Sequence, residues 1–562
     1  MLLFSFIRCF SWAQSPYGYY FQDSLKPKHR ISGSLDSVDC YLASYQHTLP
    51  NYFKPYQFQF SFSDFSRNWF LPFAKRFSAL PHIAFAYSMG SKLDQMGRVT
   101  YTQAVDTNTF LQVDYLRNSS NGNLRNSKFE RNAVQVALMH SGKFYGTIVD
   151  LNFSIDDSKQ SNGLLGDSLV EGFPIGFQQV KRSNTSNVHK QFNVSWKNYF
   201  SFLKDSLHKF GVILHPEFSI SNNRFIESEN MNSIYGFSNY DSIQTRDYRE
   251  LSAFKTSGGL FYKYDFFQLE AGASLKYWKY DNLGRHADTS ETSVFVNFYM
   301  SKNGYNLKSQ NAYTLSGATG EKQFSLDFSK RFGATLIRLN SRFSQKYPEI
   351  YQRMYYGNVM NYTWQNKFLS STYASQFYLE NHNRIIPFTA KLFLESNSKL
   401  PVLVGYQWRQ DTLTNLQVAG VEVGASYSFK QLLLQARSSY RFSTHNVLPN
   451  WVVFGRLAYN GTLFKGKKLK TVTGVDLGYY SSYQLMEFSP MANAYYFSNS
   501  GMRFREMMKL HFFTQFDLGY FRWFIRVENI EQTFWKKETF EAVGYPVTPL
   551  QFRFGVSWDF FN

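Results

Sequence analysis

The sequence predicts an all-β fold: a single large antiparallel transmembrane β-barrel of about 24 strands, within a range of 22 to 26, with both termini periplasmic. The first observation behind this prediction is the ending of the chain. In residues 551–562, Phe552, Phe554 and Trp558 alternate with polar residues. A strand of period two that ends in aromatic residues is typical of the closing strand of an outer-membrane barrel. For these residues alone, the alternative is the edge strand of a soluble sandwich.

The second observation is composition. Aromatic residues make up 19% of the 562 residues and charged residues only 18%, and mean hydropathy is negative. A barrel needs aromatic residues on its lipid face and in two interfacial girdles, while every second residue faces a polar lumen. The sequence has no apolar run of about 18 residues, which excludes helical spans. No linker or change in composition separates domains, so one closed sheet is predicted.

The N-terminal region divides into two predicted parts ahead of a barrel at 82–562. Residues 1–13 resemble a short export signal, since Met1–Phe10 is apolar apart from Arg8 and small residues follow. The signal lacks a basic start, which a start site downstream of the true one would explain. Residues 14–81 form a segment rich in aromatic residues. The two cysteines, Cys9 and Cys40, suggest neither a disulfide framework nor a metal site.

Period-two alternation recurs from residue 82 to the end of the chain and defines the predicted strands. The lipid-facing residues of clear examples are Ile83, Phe85, Tyr87 and Met89; Leu111, Val113 and Tyr115; Phe324, Leu326 and Phe328; Ile337, Leu339 and Phe343; and Val421, Val423 and Tyr427. The stretch from Asn358 to Glu380 fits either one long strand or a hairpin turning near Leu369. This ambiguity accounts for two strands of the predicted range.

The connections alternate between long and short, as expected when external loops are long and periplasmic turns are tight. Counting back from the last strand places long connections outside: 533–549, 483–506, 222–249, 156–187 and 119–129. Tight links fall inside: Tyr520-Phe521, Lys430-Gln431, Phe332, Asp265 and Ser141-Gly142.

These patterns resemble a known family. The run from Tyr52 to Tyr115, the loop Ser161-Asn-Gly-Leu-Leu-Gly-Asp167 and the ending Phe552-Arg-Phe-Gly-Val-Ser-Trp-Asp-Phe560 are similar to the "putative porin" family of Bacteroidota outer membranes. The resemblance covers most of the mature chain. It implies an outer-membrane barrel with a channel role, and it specifies no solute.

Catalytic and cofactor motifs are missing. The sequence has no GxxxxGK[ST], GxGxxG, HExxH or GxSxG, so no enzymatic activity and no cofactor are predicted. A barrel-embedded enzyme would need a nucleophile and a base at the outer rim, and the one adjacent pair, His140-Ser141, falls at a predicted periplasmic turn. The formal charge is +19. Its basic residues are dispersed over strands and turns, which favours a solvated rim over nucleic-acid binding.

Charged residues on the polar faces of strands are the candidate lumen-lining residues. They are Arg338, Arg342, Glu422, Arg437, Arg441, Asp517, Arg522, Arg526 and Arg553. Fixed arginines in a confined aqueous path would give an anion preference. The alternative is structural pairing with Glu422, Asp517, Glu528 and Asp559 on neighbouring strands.

A barrel of this size raises the question of what narrows it, since 22-stranded barrels are already wide enough to need a plug. Residues 14–81 are too few for a separate plug domain. The candidates are the N-terminal segment, with Phe53, Tyr56, Phe58, Phe60, Phe62 and Phe65, or inward-folded loops 156–187 and 222–249. For the N-terminal segment, an extra strand pair or a periplasmic extension are the alternatives.

The predicted function is diffusion of small solutes across the outer membrane of a Gram-negative bacterium, with an anion preference. A sealed scaffold barrel that docks a surface or secretion complex is the second hypothesis, and a barrel-embedded enzyme is the third. The expected partners are outer-membrane lipids and lipopolysaccharide, the solutes, and the barrel-assembly machinery, which would bind the C-terminal strand. No nucleic-acid partner is expected.

Overall fold

The structure is a computed structural model. It describes residues 81–561, except 167–168, 170–173, 205–207, 364–367, 384–385, 405–406, 411–414, 465, 467–468, 499 and 535–539. In addition it describes two short segments, Tyr20–Phe21 and Arg76–Phe77, which pair in parallel. The predicted signal and most of the aromatic N-terminal segment lie outside the described residues.

The described residues form a closed barrel of 22 strands in which all neighbours are antiparallel. The strands are β1 (His82–Gly90), β2 (Asp94–Ala104), β3 (Thr109–Ser120), β4 (Phe129–Ser141), β5 (Tyr145–Lys159), β6 (Thr185–Lys204), β7 (His208–Glu227), β8 (Thr245–Tyr264), β9 (Phe267–Asn282), β10 (Arg285–Lys302), β11 (Tyr305–Ser316), β12 (Lys322–Phe332), β13 (Thr335–Lys346), β14 (Ser370–Asn381), β15 (Phe388–Ser398), β16 (Asn415–Phe429), β17 (Leu432–Ser443), β18 (Trp451–Leu463), β19 (Leu469–Tyr480), β20 (Met507–Asp517), β21 (Phe521–Glu528) and β22 (Gln551–Phe561).

The barrel closes where its last strand meets its first. β22 pairs antiparallel with β1, with His82 opposite Phe561 and Gly90 opposite Arg553. Closure leaves no strand edge facing lipid, where each unpaired backbone group would cost several kcal/mol. Phe554 and Trp558 are exposed on the outer face, while Arg553 is buried on the inner face. The all-β barrel prediction is confirmed.

Long and short connections alternate around the barrel. We number the external loops L1 to L11; the ones used below are L2 (121–128), L3 (160–184), L4 (228–244), L7 (347–369), L8 (399–414), L9 (444–450), L10 (481–506) and L11 (529–550). The opposite ends have tight turns, such as Asp265 and Lys430, both with positive φ. The long connections of the sequence prediction all fall on the external side. Loops 156–187 and 222–249 are shorter than predicted, because β6, β7 and β8 each run for 20 residues and project beyond the membrane.

The strand count lies at the lower limit of the predicted range and two below the central value of 24. The ambiguous stretch Asn358–Glu380 contributes one barrel strand, β14, preceded by the small external hairpin of Met354–Tyr356 and Asn361–Thr363. Loops L8 and L10 contain similar short hairpins, Pro401–Val404 with Gln407–Gln410 and Met486–Ser489 with Ala494–Phe497. These external hairpins alternate like membrane strands but are too short to cross, so alternation alone overestimates the count.

No helix among the described residues is long and apolar enough to cross a membrane.

Candidate functional site: the lumen and its outer mouth

The lumen wall is polar because each strand turns alternate residues inward. In β16, Val421 and Val423 are exposed to the lipid side, whereas Glu422 between them is buried on the inner side. By the same alternation, all nine charged residues singled out from the sequence lie on inner faces. A charged residue at membrane depth on the outer face would be costly, which is consistent with this orientation.

Most of these arginines are paired with carboxylates. Arg338 Nε lies 3.1 Å from Asp327 Oδ2, and Arg437 Nε lies 2.6 Å from Glu422 Oε1. Arg522 lies 3.5 Å from Asp517.

Arg342 differs from them, because it is exposed and forms no ion pair with any described residue. Arg441 is buried, on the same inner face as Arg437.

Arg526 and Arg553 belong to a chain of alternating charges that bridges the closing seam of the barrel. In order along the wall, the chain is Arg456, Asp476, Arg526, Glu528, Arg553 and Asp94. The successive distances are 2.6, 3.2, 3.3, 3.7 and 2.5 Å. Its three bases and three acids balance, so this part of the wall has no excess charge. The inward arginines of this seam are thus paired with acids, but only Glu528 was among the partners considered from the sequence. The pairs Arg526–Asp476 and Arg553–Asp94 each reach across an intervening strand.

Three members of this chain, Asp94, Arg456 and Asp476, were missed in the sequence analysis. The only available signal was a charged residue on the polar face of a strand. Their partners depend on strand register and on closure, since Asp94 and Arg553 are 459 positions apart in the sequence.

The outer mouth is filled by external loops that pack against one another. Buried apolar residues of L2, L3, L9, L10 and L11 form one cluster with inward residues of β16; they include Leu124, Leu164, Leu416, Val418, Leu448, Tyr483, Phe488, Phe540 and Tyr545. A second cluster joins L4, L7, L8 and L10; it includes Met231, Tyr355, Met360, Leu403, Trp408 and Met491. L10 contributes to both clusters.

The hairpin Met486–Phe497 within L10, which we call the crossing hairpin, spans the mouth. Asn187 of β6 donates to the Pro490 carbonyl at 3.5 Å, and Gln160 of L3 donates to the Asn493 side chain at 3.1 Å. β6 is eight strands from β20 in one direction and thirteen from β19 in the other. A loop that starts at β19 and ends at β20 therefore reaches almost the opposite wall.

L3 and L11 meet at two glycines. Leu164 N–H donates to the Gly544 carbonyl at 2.8 Å. Gly163 and Gly544 both have positive φ, +82° and +78°, and a Cβ added to Gly163 would lie 3.0 Å from the Gly544 backbone. This contact gives a physical reason for the Asn-Gly pair at 162–163, since Asn162 also has positive φ.

Loops L4 and L7 are joined by hydrogen bonds to Asp247, at the start of β8. The hydroxyls of Tyr240 and Tyr355 donate to Asp247 at 2.7 and 3.0 Å, and the backbone N–H of Asn358 donates to the same carboxylate at 3.0 Å. Burial raises the pKa of both tyrosines, with the nearby Asp247 carboxylate the second cause. Both hydroxyls therefore stay protonated and serve as donors at all physiological pH values.

The size of the barrel makes this loop packing functionally important. With roughly 4.8 Å between strands and a tilt of about 40°, 22 strands give a backbone diameter of about 44 Å. The crossing hairpin and the loops packed against it occupy the outer end of this opening. The sequence analysis also predicted a constriction by aromatic residues of the N-terminal segment. Those residues lie outside the described part of the chain; they are Phe53, Tyr56, Phe58, Phe60, Phe62 and Phe65. Among the described residues, no group of His, Cys, Asp or Glu could hold a metal ion.

A closed barrel with a lipid-facing apolar surface and a polar interior defines the chain as an integral outer-membrane β-barrel protein. Its sequence matches the model of the family described as "Putative porin" over residues 73–562. The chain belongs to this family, as the sequence resemblance predicted. Its Bacteroidota origin stays a prediction. Comparison with curated protein sequences found no match.

Solved structures of two transporters and a siderophore receptor have a similar fold. The copper transporter OprC aligns with a TM-score of 0.62 at 9% identity, covering 86% of this chain and 81% of that chain. The siderophore receptor PirA from Acinetobacter baumannii gives 0.61 at 9% identity, covering 87% and 81%. The FrpB iron transporter from Neisseria meningitidis gives 0.59 at 9% identity, covering 86% and 83%. At these identities the likeness shows the fold alone.

Proposed function

We propose that this barrel lets small solutes cross the outer membrane through its lumen, along a path narrowed by its own external loops. The observation that carries the proposal is a 22-stranded barrel whose inner wall is polar and charged, with the crossing hairpin and its neighbours packed into the outer mouth. A barrel left open at about 44 Å would pass any small molecule, so the loops would set the size limit.

The nine inward charged residues are proposed to line this path, and an anion preference is the finer part of the proposal. The arginines differ in what they can contribute. Those of the seam chain are balanced by Asp94, Asp476 and Glu528. Arg342 has no ion-pair partner among the described residues and remains available to a passing anion.

We propose no catalytic role. His140, of the His-Ser pair noted in the sequence, contacts Thr109 Oγ1 at 2.8 Å beside the turn between β4 and β5. The proposed further partners are lipopolysaccharide around the barrel and the assembly machinery at β22.

The packing of the loops also favours the second hypothesis, a sealed scaffold barrel. Large apolar side chains are exposed on these loops, among them Phe177 of L3, Ile243 of L4 and Phe534 of L11. Such residues on an external surface suit a protein partner. The two hypotheses differ in whether solutes pass.

A liposome-swelling assay separates them. Purified full-length protein in vesicles should admit small uncharged solutes at a rate that falls with solute size, because the loops limit the opening. Swelling no faster than protein-free vesicles for every solute would refute the channel and support the scaffold.

A further inference from the structure

One sector of the lumen wall, on β11 to β15, carries basic residues that the structure does not fully neutralise. In register, Lys308 of β11 lies opposite Asp327 of β12, and Asp327 lies opposite Asn340 of β13. Arg338 and Arg342 flank Asn340 on the same inner face. Because β11 and β13 are about 10 Å apart, two strand spacings, the long side chains of Lys308, Arg338 and Arg342 share one patch of the wall.

The carboxylate in this patch is already engaged. Asp327 accepts hydrogen bonds from Arg338 Nε at 3.1 Å and from Asn340 Nδ2 at 3.1 Å. Lys308 and Arg342 form no ion pair with a described residue; the Lys308 ammonium lies 6.0 Å from the centroid of the Tyr299 ring. Arg338 is 48% exposed even while paired, so the patch is open to the lumen.

Lys391 extends the patch to β15. Tyr378 of β14 lies opposite both Arg338 and Lys391. The Lys391 ammonium is 5.2 Å from the centroid of the Tyr378 ring and 5.5 Å from that of Phe393. Two carboxylates, Asp327 and Glu380, act electrostatically on Arg338. Lys391 also lies opposite Glu422 of β16, which is paired with Arg437. Counted together, five bases face the three acids Asp327, Glu380 and Glu422, which leaves an excess positive charge, in contrast to the balanced chain at the seam.

We infer that Lys308, Arg338, Arg342 and Lys391, here called the basic strip, form a binding site for a small oxyanion that carries at least two negative charges. Inorganic phosphate represents this class. A guanidinium group offers paired N–H donors that match oxyanion geometry, and no carboxylate in the described part of the chain pairs with the donors of Arg342. The inference rests on the proposed function, because it places the site on the solute path and names the class of solute.

Equilibrium binding tests the inference without requiring transport. Inorganic phosphate is titrated into the purified full chain in detergent at pH 8, where phosphate is mainly a dianion, and heat is measured by calorimetry. The double variant Lys308→Gln/Arg342→Gln should bind phosphate at least about tenfold more weakly, a ratio that corresponds to 1.4 kcal/mol. Arg342→Lys, which keeps the charge and loses the fork, should show a smaller loss.

The matched control is Lys255→Gln/Lys276→Gln, which removes the same charge from lumen-facing residues of β8 and β9. The side chains of these lysines are 43% and 41% exposed, similar to the 48% of Arg338. Unlike Lys308 and Arg342, they pair with carboxylates, Glu217 at 2.9 Å and Glu291 at 3.2 Å. Phosphate affinity should stay within about twofold of the unmodified chain. The inference is overturned if the unmodified chain binds no phosphate, or if both double variants lose affinity equally. Heat-modifiable migration on gels confirms that each variant is folded.

A second readout separates this inference from the proposed function. In planar bilayers, phosphate should reduce the chloride current of the unmodified chain and have little effect on the Lys308→Gln/Arg342→Gln variant. Phosphate binding without any current would retain the basic strip and refute the channel. Current that phosphate does not affect would retain the channel and refute the basic strip.

Discussion

Arg553 should be a major contributor to barrel stability, because it joins the last strand to its neighbours from a position with almost no solvent. Its side chain is 1% exposed and lies 2.5 Å from Asp94 and 3.7 Å from Glu528. Replacing it with Met removes the charge and keeps most of the volume. Both acids are then left buried without this partner. Breaking a buried ion pair from one side costs about 3–5 kcal/mol, and we expect the Arg553→Met variant to lose that much free energy of unfolding.

Urea titration in detergent, with folding followed by heat-modifiable migration, measures the loss. The control is Arg117→Met, at an ion pair of similar length, 3.0 Å from Glu130, whose partners are 56% and 33% exposed. An exposed pair of this kind contributes about 0–1 kcal/mol. Adding Asp94→Asn to the Arg553→Met chain should recover part of the loss, because it removes a buried charge that has lost its ion pair with Arg553. A loss for Arg553→Met no larger than that for Arg117→Met would refute this account of the seam.

Three further predictions concern other parts of the chain. Deleting Gln551 to Asn562 should abolish heat-modifiable migration, because β1 and β21 lose their shared partner; a normally folded truncated chain would contradict this. Removing residues 15–75 should raise single-channel conductance if the N-terminal segment narrows the lumen, whereas unchanged conductance would leave the external loops as the constriction. Gly163→Ala should increase protease cleavage in L3 more than Gly236→Ala increases cleavage in L4. Both glycines have positive φ, but only Gly163 lies against another backbone segment. Equal increases would show that the contact with Gly544 is unimportant.

The sequence was a good guide to strands and faces because the bilayer constrains both. Lipid contact requires apolar residues at every second position, so Phe554 and Trp558 could be assigned to the outer face from the pattern alone. The alternation of long and short connections was also a reliable guide, because only the external side of an outer-membrane barrel carries large loops. Short external hairpins, such as Pro401–Val404 with Gln407–Gln410, obey the same alternation without crossing the membrane.

The lumen and the mouth were less predictable because they depend on contacts that local patterns do not encode. Arg526 was identified as an inward residue, but its partner Asp476 lies beyond an intervening strand. The crossing hairpin has no sequence signal for its direction, which follows from packing against L3, L8 and L11. Arg342 was singled out together with arginines that are neutralised, and only the register around Asp327 distinguishes it from Arg338.

Single-channel recording in planar bilayers tests the central claim most directly. The recording compares the full chain with a variant in which residues 486–497, the crossing hairpin, are replaced by a short Gly-Ser linker. We expect discrete channels from the full chain and a severalfold higher conductance from the variant, because removing the hairpin widens the mouth. The absence of channels from both folded proteins would contradict a transport function, and equal conductance would contradict a path limited by the crossing hairpin.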